Sequence, residues 1–260
     1  MNAVHRVLDP TLGAQVPPGL CALAVMTKAP QAGKVKTRLT PPLTPAEAAA
    51  LNVCFLRDTT SAISITVSDG HARGIGVYTP VGQEAAYAEI LPAHFELVAQ
   101  RGDAFGERLT HATEDLLALG FEAVCLIDSD SPTVPQRAYN EATHLLLQPG
   151  DRIVLGPSDD GGYYLIGLKK LHTQLFENID WSSEHVFQQT MDRARALGLE
   201  IALLPTWYDV DDRATLRRLC DELIGGTPTA TPSGYAAVAT HGFLASLVAR
   251  EGRERIWPNE

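Results

Sequence analysis

Along the chain, short apolar runs alternate with longer stretches of mixed polarity. LCALAVM (20–26) is a continuous apolar run, the pattern of a strand covered on both faces. A helix start follows at Thr44-Pro45-Ala46-Glu47: Thr44 can cap, Pro45 suits the first helical position, and Glu47 falls three residues after the cap. That helix is predicted through AEAAALNVCFLRDTTSAI. RGIGVYTP (73–80) and HFELVAQ (94–100) read as strands, and FGERLTHATEDLLALG (105–120) as a helix stopped by glycine. EAVCLIDSD (122–130) is an apolar strand ending in acid, PQRAYNEATHLLLQ (135–148) a helix, and RIVLGPSDD (152–160) a second strand ending in acid. YYLIGL (163–168) is a strand, SSEHVFQQTMDRARALG (182–198) a helix, EIALLPTWYDVDD (200–212) a third acid-ended strand, and DRATLRRLCDELI (212–224) a helix.

Strands alternating with helices predict an α/β fold with a largely parallel sheet and right-handed crossovers. Residues 1–19, rich in proline and glycine, read as a loose N-terminal extension, and 20–225 as the main α/β domain. The stretch 226–260 reads as a linker, within GGTPTATPSG (225–234), and a helical tail in YAAVATHGFLASLVAR.

The 260 residues carry a formal net charge of -10 and 45% hydrophobic residues, enough for one sizeable core. The acidic balance argues against nucleic acid as a partner. No apolar run reaches the roughly 20 residues that span a bilayer, so no membrane insertion is expected. No signal peptide is expected either. Cys21, Cys54, Cys125 and Cys220 form no C-x-x-C pair and read as reduced thiols, which with the rest predicts a cytoplasmic protein. Zinc spacing is absent among the cysteines and histidines.

Against this acidic background, MTKAPQAGKVKTRLTPPL (26–43) packs Lys28, Lys34, Lys36 and Arg38 around Gly33, directly after the first strand. Three later strands run into Asp128-Ser129-Asp130, Asp159-Asp160-Gly161-Gly162 and Asp209-Val210-Asp211-Asp212. Ligands of open α/β sheets bind beyond the carboxyl ends of strands. Gathered there, the carboxylates would repel one another unless something positive sat between them, and a hard divalent ion with oxygen ligands answers that need. Such an ion would hold a polyphosphate, with lysine and arginine on its remaining oxygens. Each motif alone also has a plain explanation: a D-x-D can be a solvated turn, a lysine-rich loop a solvated face, and Gly161-Gly162 a tight turn between two strands. Other phosphate machinery fits less well. Gly33-Lys34 lacks the earlier glycine and following hydroxyl of a P-loop, and no G-x-G-x-x-G is present. A haloacid-dehalogenase motif would need Thr or Val where Pro132 stands.

KAPQAGKVKTRL (28–39), LIDSDSP (126–132), GPSDDGGYYLIGL (156–168), WSSEHVFQQT (181–190) and YDVDD (208–212) resemble, in order, the DUF2064 group of nucleotide-diphospho-sugar transferase-like proteins. Some members of that group are linked to arsenosugar biosynthesis. The coenzyme F420-pathway guanylyltransferases and molybdenum-cofactor nucleotidyltransferases are similar at a greater distance. The resemblance implies a GT-A fold, with a Rossmann-like, mostly parallel mixed sheet flanked by helices. It places a nucleotide against Lys28, Gly33, Lys36, Thr37 and Arg38, and against Gly102, Asp103, Gly106 and Arg108 of RGDAFGERL. It implies that Asp128 and Asp130 ligate Mg2+ or Mn2+, completed by Asp209 and Asp211. Asp159, Asp160, Gly161 and Gly162 would line the acceptor or donor-sugar side, with Tyr163, Trp181 and Ser182 beside them; in a glycosyl transfer, Asp160, or else Asp159, is the candidate catalytic carboxylate. Trp181-Ser182-Ser183 stands where Trp-Ser-Thr is the pattern, keeping a hydroxyl.

Two transfers suit these residues. In glycosyl transfer from a nucleotide sugar to a small hydroxyl-bearing acceptor, a carboxylate takes the acceptor's proton. In nucleotidyl transfer from an NTP, a phosphate attacks and needs no base but wants a basic acceptor pocket. The double aspartate and the Tyr163-Tyr164 pair favour the former. A non-catalytic nucleotide-binding protein is the third reading. The sequence does not fix the oligomeric state.

Overall fold

The protein's structure, a computed structural model, describes residues 5–225 and 233–257. In chain order, β1 spans Cys21–Lys28, α1 Pro45–Val67, β2 Ala72–Thr79, β3 Glu96–Ala99, α2 Phe105–Ala118 and β4 Ala123–Ile127. α3 (Gln136–Leu147) precedes the adjacent strands β5 (Arg152–Pro157) and β6 (Tyr163–Leu168). Then come α4 (Val186–Ala196), β7 (Glu200–Leu203), α5 (Arg213–Ile224), α6 (Val238–Glu251) and α7 (Arg253–Ile256).

The strands form one sheet in the order β3-β2-β1-β4-β6-β5-β7. All are parallel except β6, which runs antiparallel to β4 and β5. The carboxyl ends of β1, β4, β5 and β7 therefore share one edge. As its unbroken apolar run predicts, β1 is covered on both faces, Cys21 to Val25 being buried. Cys21, Leu23 and Val25 join the core under α1, α3, α5 and α6, while Ala22 and Ala24 join the one under α2 and α4. The α1 cap forms as read: Thr44 accepts from the Glu47 amide and Glu47 from that of Thr44, with Pro45 at the first turn.

Several expectations are corrected. The described part of the N-terminal segment, residues 5–19, is not loose: the His5 ring bonds to the Phe95 and Tyr87 carbonyls, and Val7 bridges Leu97. β7 stops at Leu203, short of Asp212, because Pro205 cannot continue the ladder and Trp207 instead forms an isolated bridge to Ser158. Helix α4 begins at Val186 and not at 182, since Ser182 takes a left-handed conformation with φ 67°. Most of the expected linker lies outside the described residues. The tail helices pack on α1, where the buried Asp58 carboxylate accepts from the Ala239 and Thr240 amides at 2.9 and 2.7 Å. Among the described residues, no helix is long and apolar enough to cross a membrane.

Candidate active site

The basic loop leaves β1 at Lys28 and folds back toward the segment that follows β7. Lys36 is its pivot. Its backbone is left-handed (φ 48°), rare for a residue with a side chain. The side chain is 4% exposed and lies with its Nζ 5.5 Å from the Phe55 ring centroid. That ammonium donates to the Val210 carbonyl (2.7 Å) and Asp211 Oδ1 (3.0 Å), and stands 2.8 Å from Asp130 Oδ1. Burial alone would lower its pKa, but Asp130 and Asp211 outweigh that and hold it raised. Arg38 extends outward, 70% exposed, 3.6 Å from Asp211. Gly33 occupies an exposed turn in which the Lys34 amide donates to the Gln31 carbonyl at 3.0 Å. Together Lys28, Lys34, Lys36, Thr37 and Arg38 line a cavity of about 260 Å3, closed by Asn52, Ser129, Asp130 and Asp211.

Of the expected metal ligands, Asp130 and Asp211 line this cavity and Asp128 and Asp209 do not. Asp128 follows β4, accepts from the Ser131 hydroxyl at 2.7 Å and carries a pKa well above the carboxylate range, through burial first and the Asp130 charge second. Asp209 accepts from Ser158 at 3.3 Å; burial, then Asp160 and Asp211, push it up to about 6. Such mutual repulsion is what an added cation would relieve. The all-oxygen donor set suits a hard divalent ion, and Asp128, Asp130, Asp209 and Asp211 are the residues that would hold it. Among the described residues, though, no three His, Cys, Asp or Glu side chains converge on one point. The Lys36 ammonium bridges Asp130 and Asp211 instead.

Asp159, Asp160, Gly161 and Gly162 form the tight turn between β5 and β6. Ser158 exchanges bonds with Gly161 and Gly162, and the Gly162 amide donates to Asp160 Oδ1 at 2.8 Å. Gly161 has φ 92°, and a Cβ there would meet the Glu184 carbonyl oxygen at 2.2 Å. Only glycine admits this approach, by which the 180–187 loop, carrying Trp181 and Ser182, lies over the turn. Asp159 is held by Arg218 of α5, whose guanidinium stacks 3.8 Å from the centroid of the Tyr208 ring. Among the described residues, no cation pairs with Asp160 in this way.

Other expected site residues sit elsewhere. Gly102, Asp103, Gly106 and Arg108 do not line the basic cavity. Arg108 turns back onto the Gly102 and Asp103 carbonyls (3.3 and 2.8 Å), and Glu107 accepts from the Asp103 and Ala104 amides. At Gly106 a Cβ would meet the Phe176 carbonyl at 2.7 Å and the Trp181 indole nitrogen at 2.9 Å, so close packing accounts for the glycine. The Trp181 ring meets Phe105 edge-on with centroids 4.9 Å apart. The tyrosine pair is not an acceptor platform: Tyr164 is core, its hydroxyl on the Pro205 carbonyl, and the Tyr163 hydroxyl is buried beside Thr190.

Sequence reading missed Asn52, Ser158, Arg218 and Gln100. Asn52 is buried on α1, in the cavity wall, with Oδ1 unpartnered among the described residues. A lone amide beside Leu51 on the helix's apolar face was its signal. The Gln100 amide ties the Thr27 and Val77 carbonyls where β1 and β2 end (3.1 and 2.7 Å).

This sheet order and carboxyl-edge site define a nucleotide-diphospho-sugar transferase fold. A family model described as "Uncharacterized protein conserved in bacteria (DUF2064)" matches residues 66–183. A candidate nucleotide-diphospho-sugar transferase from Desulfovibrio desulfuricans G20, solved by crystallography, is 30% identical with TM-score 0.75, over 91% of this chain and 99% of that one. The protein belongs to this family. A CMP:2-keto-3-deoxy-manno-octonic acid synthetase complexed with CTP shares the fold at 11% identity, TM-score 0.50, over 77% of this chain and 96% of that one. No curated protein matches the sequence.

Proposed function

We propose that this transferase moves a glycosyl group from a nucleoside-diphosphate sugar to a hydroxyl of a small acceptor. The observation that carries this reading is the meeting of a cavity lined by Lys28, Lys34, Lys36 and Arg38 with the carboxylates of Asp130 and Asp211 in one wall. The cations would take the diphosphate, with Thr37 on a phosphate oxygen. A Mg2+ or Mn2+ ion at Asp128, Asp130, Asp209 and Asp211 would supply charge neutralisation for the leaving diphosphate.

In the transfer, the acceptor oxygen bonds to the sugar's anomeric carbon as the bond to the diphosphate breaks. The acceptor's proton passes to a carboxylate. Asp160 suits that step better than Asp159: one oxygen is fixed by the Gly162 amide and the other has no partner among the described residues, whereas Arg218 occupies Asp159. Ser182 and the exposed rim of the turn would face the acceptor. The acceptor side is acidic, which disfavours the phosphorylated acceptor that nucleotidyl transfer requires.

A thermal-shift screen of nucleotide sugars, nucleoside diphosphates and NTPs, with Mg2+, Mn2+ or neither, tests the reading. Metal-dependent stabilisation by one nucleotide sugar and its diphosphate, above any NTP, is expected. Preference for an NTP would replace it with nucleotidyl transfer.

A further inference from the structure

At the opposite edge of the sheet, the C-terminal ends of α1 and α3 flank a cavity of about 540 Å3, within the range of small-molecule sites. It lies by the amino end of β1, where the Cys21 amide donates to the His71 carbonyl at 2.9 Å. Three hydrogen-bonding atoms in its lining have no partner among the described residues: Thr66 Oγ1, Asn140 Oδ1 and Thr143 Oγ1. Thr66 is 3% exposed and Thr143 5%. Thr60 on α1 and Thr113 on α2 donate to carbonyls four residues back, at 2.6 and 2.9 Å, whereas Thr59, Thr190 and Thr240 are buried away from this lining without a partner among the described residues. Thr66 and Thr143 make no such bond. Buried polar groups are almost always paired, so three orphans around one cavity point to something that binds in it.

The lining specifies the chemistry. It contains no lysine or arginine, and the exposed Asp69 stands at the mouth. Of its two histidines, His144 meets the Gln148 amide nitrogen through Nε2 at 3.0 Å, a bond that a neutral ring accepts, and His71 is exposed, so no buried cation faces an anion there. Leu147 and Pro149 give apolar wall. Asn140 Oδ1 needs a donor, and the two hydroxyls offer both a donor and an acceptor. We infer that this cavity is a second binding site, for a small neutral molecule presenting an amide-like donor–acceptor edge on an apolar ring. The inference is independent of the transferase site.

The test titrates the full chain with benzamide, benzoate and ethylbenzene, followed by amide NMR shifts. Benzamide should saturate with a dissociation constant on the order of 1 mM, as its size allows, shifting residues 66–71 and 140–149. Benzoate and ethylbenzene should bind at least about tenfold more weakly, for want of a counter-charge and of hydrogen bonds respectively. Thr143→Val, or Thr66→Val should the first misfold, carries a paired expectation. It should weaken benzamide about tenfold yet raise the free protein's Tm by about 2–4 °C, because an orphaned hydroxyl is replaced by an isostere. No saturation, equal binding of ethylbenzene, shifts confined to the basic cavity, or a lowered Tm with unchanged affinity would each overturn the proposal.

Discussion

On the basic side of the cleft, Lys36 is buried, left-handed in its backbone, and held by three oxygens before any ligand arrives. On the acidic side, Asp159 and Asp160 ride an exposed turn, and among the described residues Asp160 bonds a neighbouring amide alone. The first arrangement fixes a charge in place, which favours recognition of a group of constant shape such as a diphosphate. The second leaves a carboxylate oxygen open, as proton transfer requires. On the proposed function the two sides would divide binding from chemistry, and substitutions should separate them.

The sharpest separation is Asp160→Asn. It should lower kcat by about 10^2–10^4, the usual worth of a general base, with nucleotide affinity nearly unchanged in a calorimetric titration. An equal loss for Asp159→Asn would erase the distinction drawn from Arg218. Gly161→Ala attacks the acidic side's scaffold: the strained φ and the clash with Glu184 should cost about 3 kcal/mol, read by urea denaturation. A loss below about 0.5 kcal/mol, that of an ordinary surface change, would show that the 180–187 loop does not depend on this contact. Lys36→Ala should weaken nucleoside-diphosphate binding about 30–100-fold, as expected for losing charge-assisted bonds. Glu47→Gln is the mildest. Burial would raise Glu47's pKa, but Arg255 and the α1 cap outweigh it and hold it below 4.5. Its contribution is thus present above the unfolded value of 4.5 and is lost as pH falls through the folded one. The variant should lie about 0.5–1 kcal/mol below wild type at pH 7, with the gap closing under acid; a constant gap would show that ionisation plays no part.

Much of this was legible in the sequence, and the reasons differ by region. The β1 run and the Thr44–Glu47 box are local signals, and both form as read. That acid-ended strands would meet at one edge followed from the alternation of strands and helices. The reversal at β6 was a local signal too: Gly161-Gly162 read as a tight turn between two strands, and β5 and β6 pair antiparallel across it. Gly106 and Tyr164 misled, because a glycine kept for Trp181 and a tyrosine filling the space at Gly156 look, in one dimension, like ligand contacts. Arg218 and Asn52 come from helices distant in sequence, and only tertiary packing brings them to the cleft.

The most direct test of the division is calorimetry of ADP, CDP, GDP and UDP with Mn2+, into wild type, Lys36→Ala and Asp160→Asn. One diphosphate should bind wild type and Asp160→Asn alike and Lys36→Ala at least about 30-fold more weakly. Equal affinity in all three proteins would contradict the placement of the diphosphate in the basic cavity.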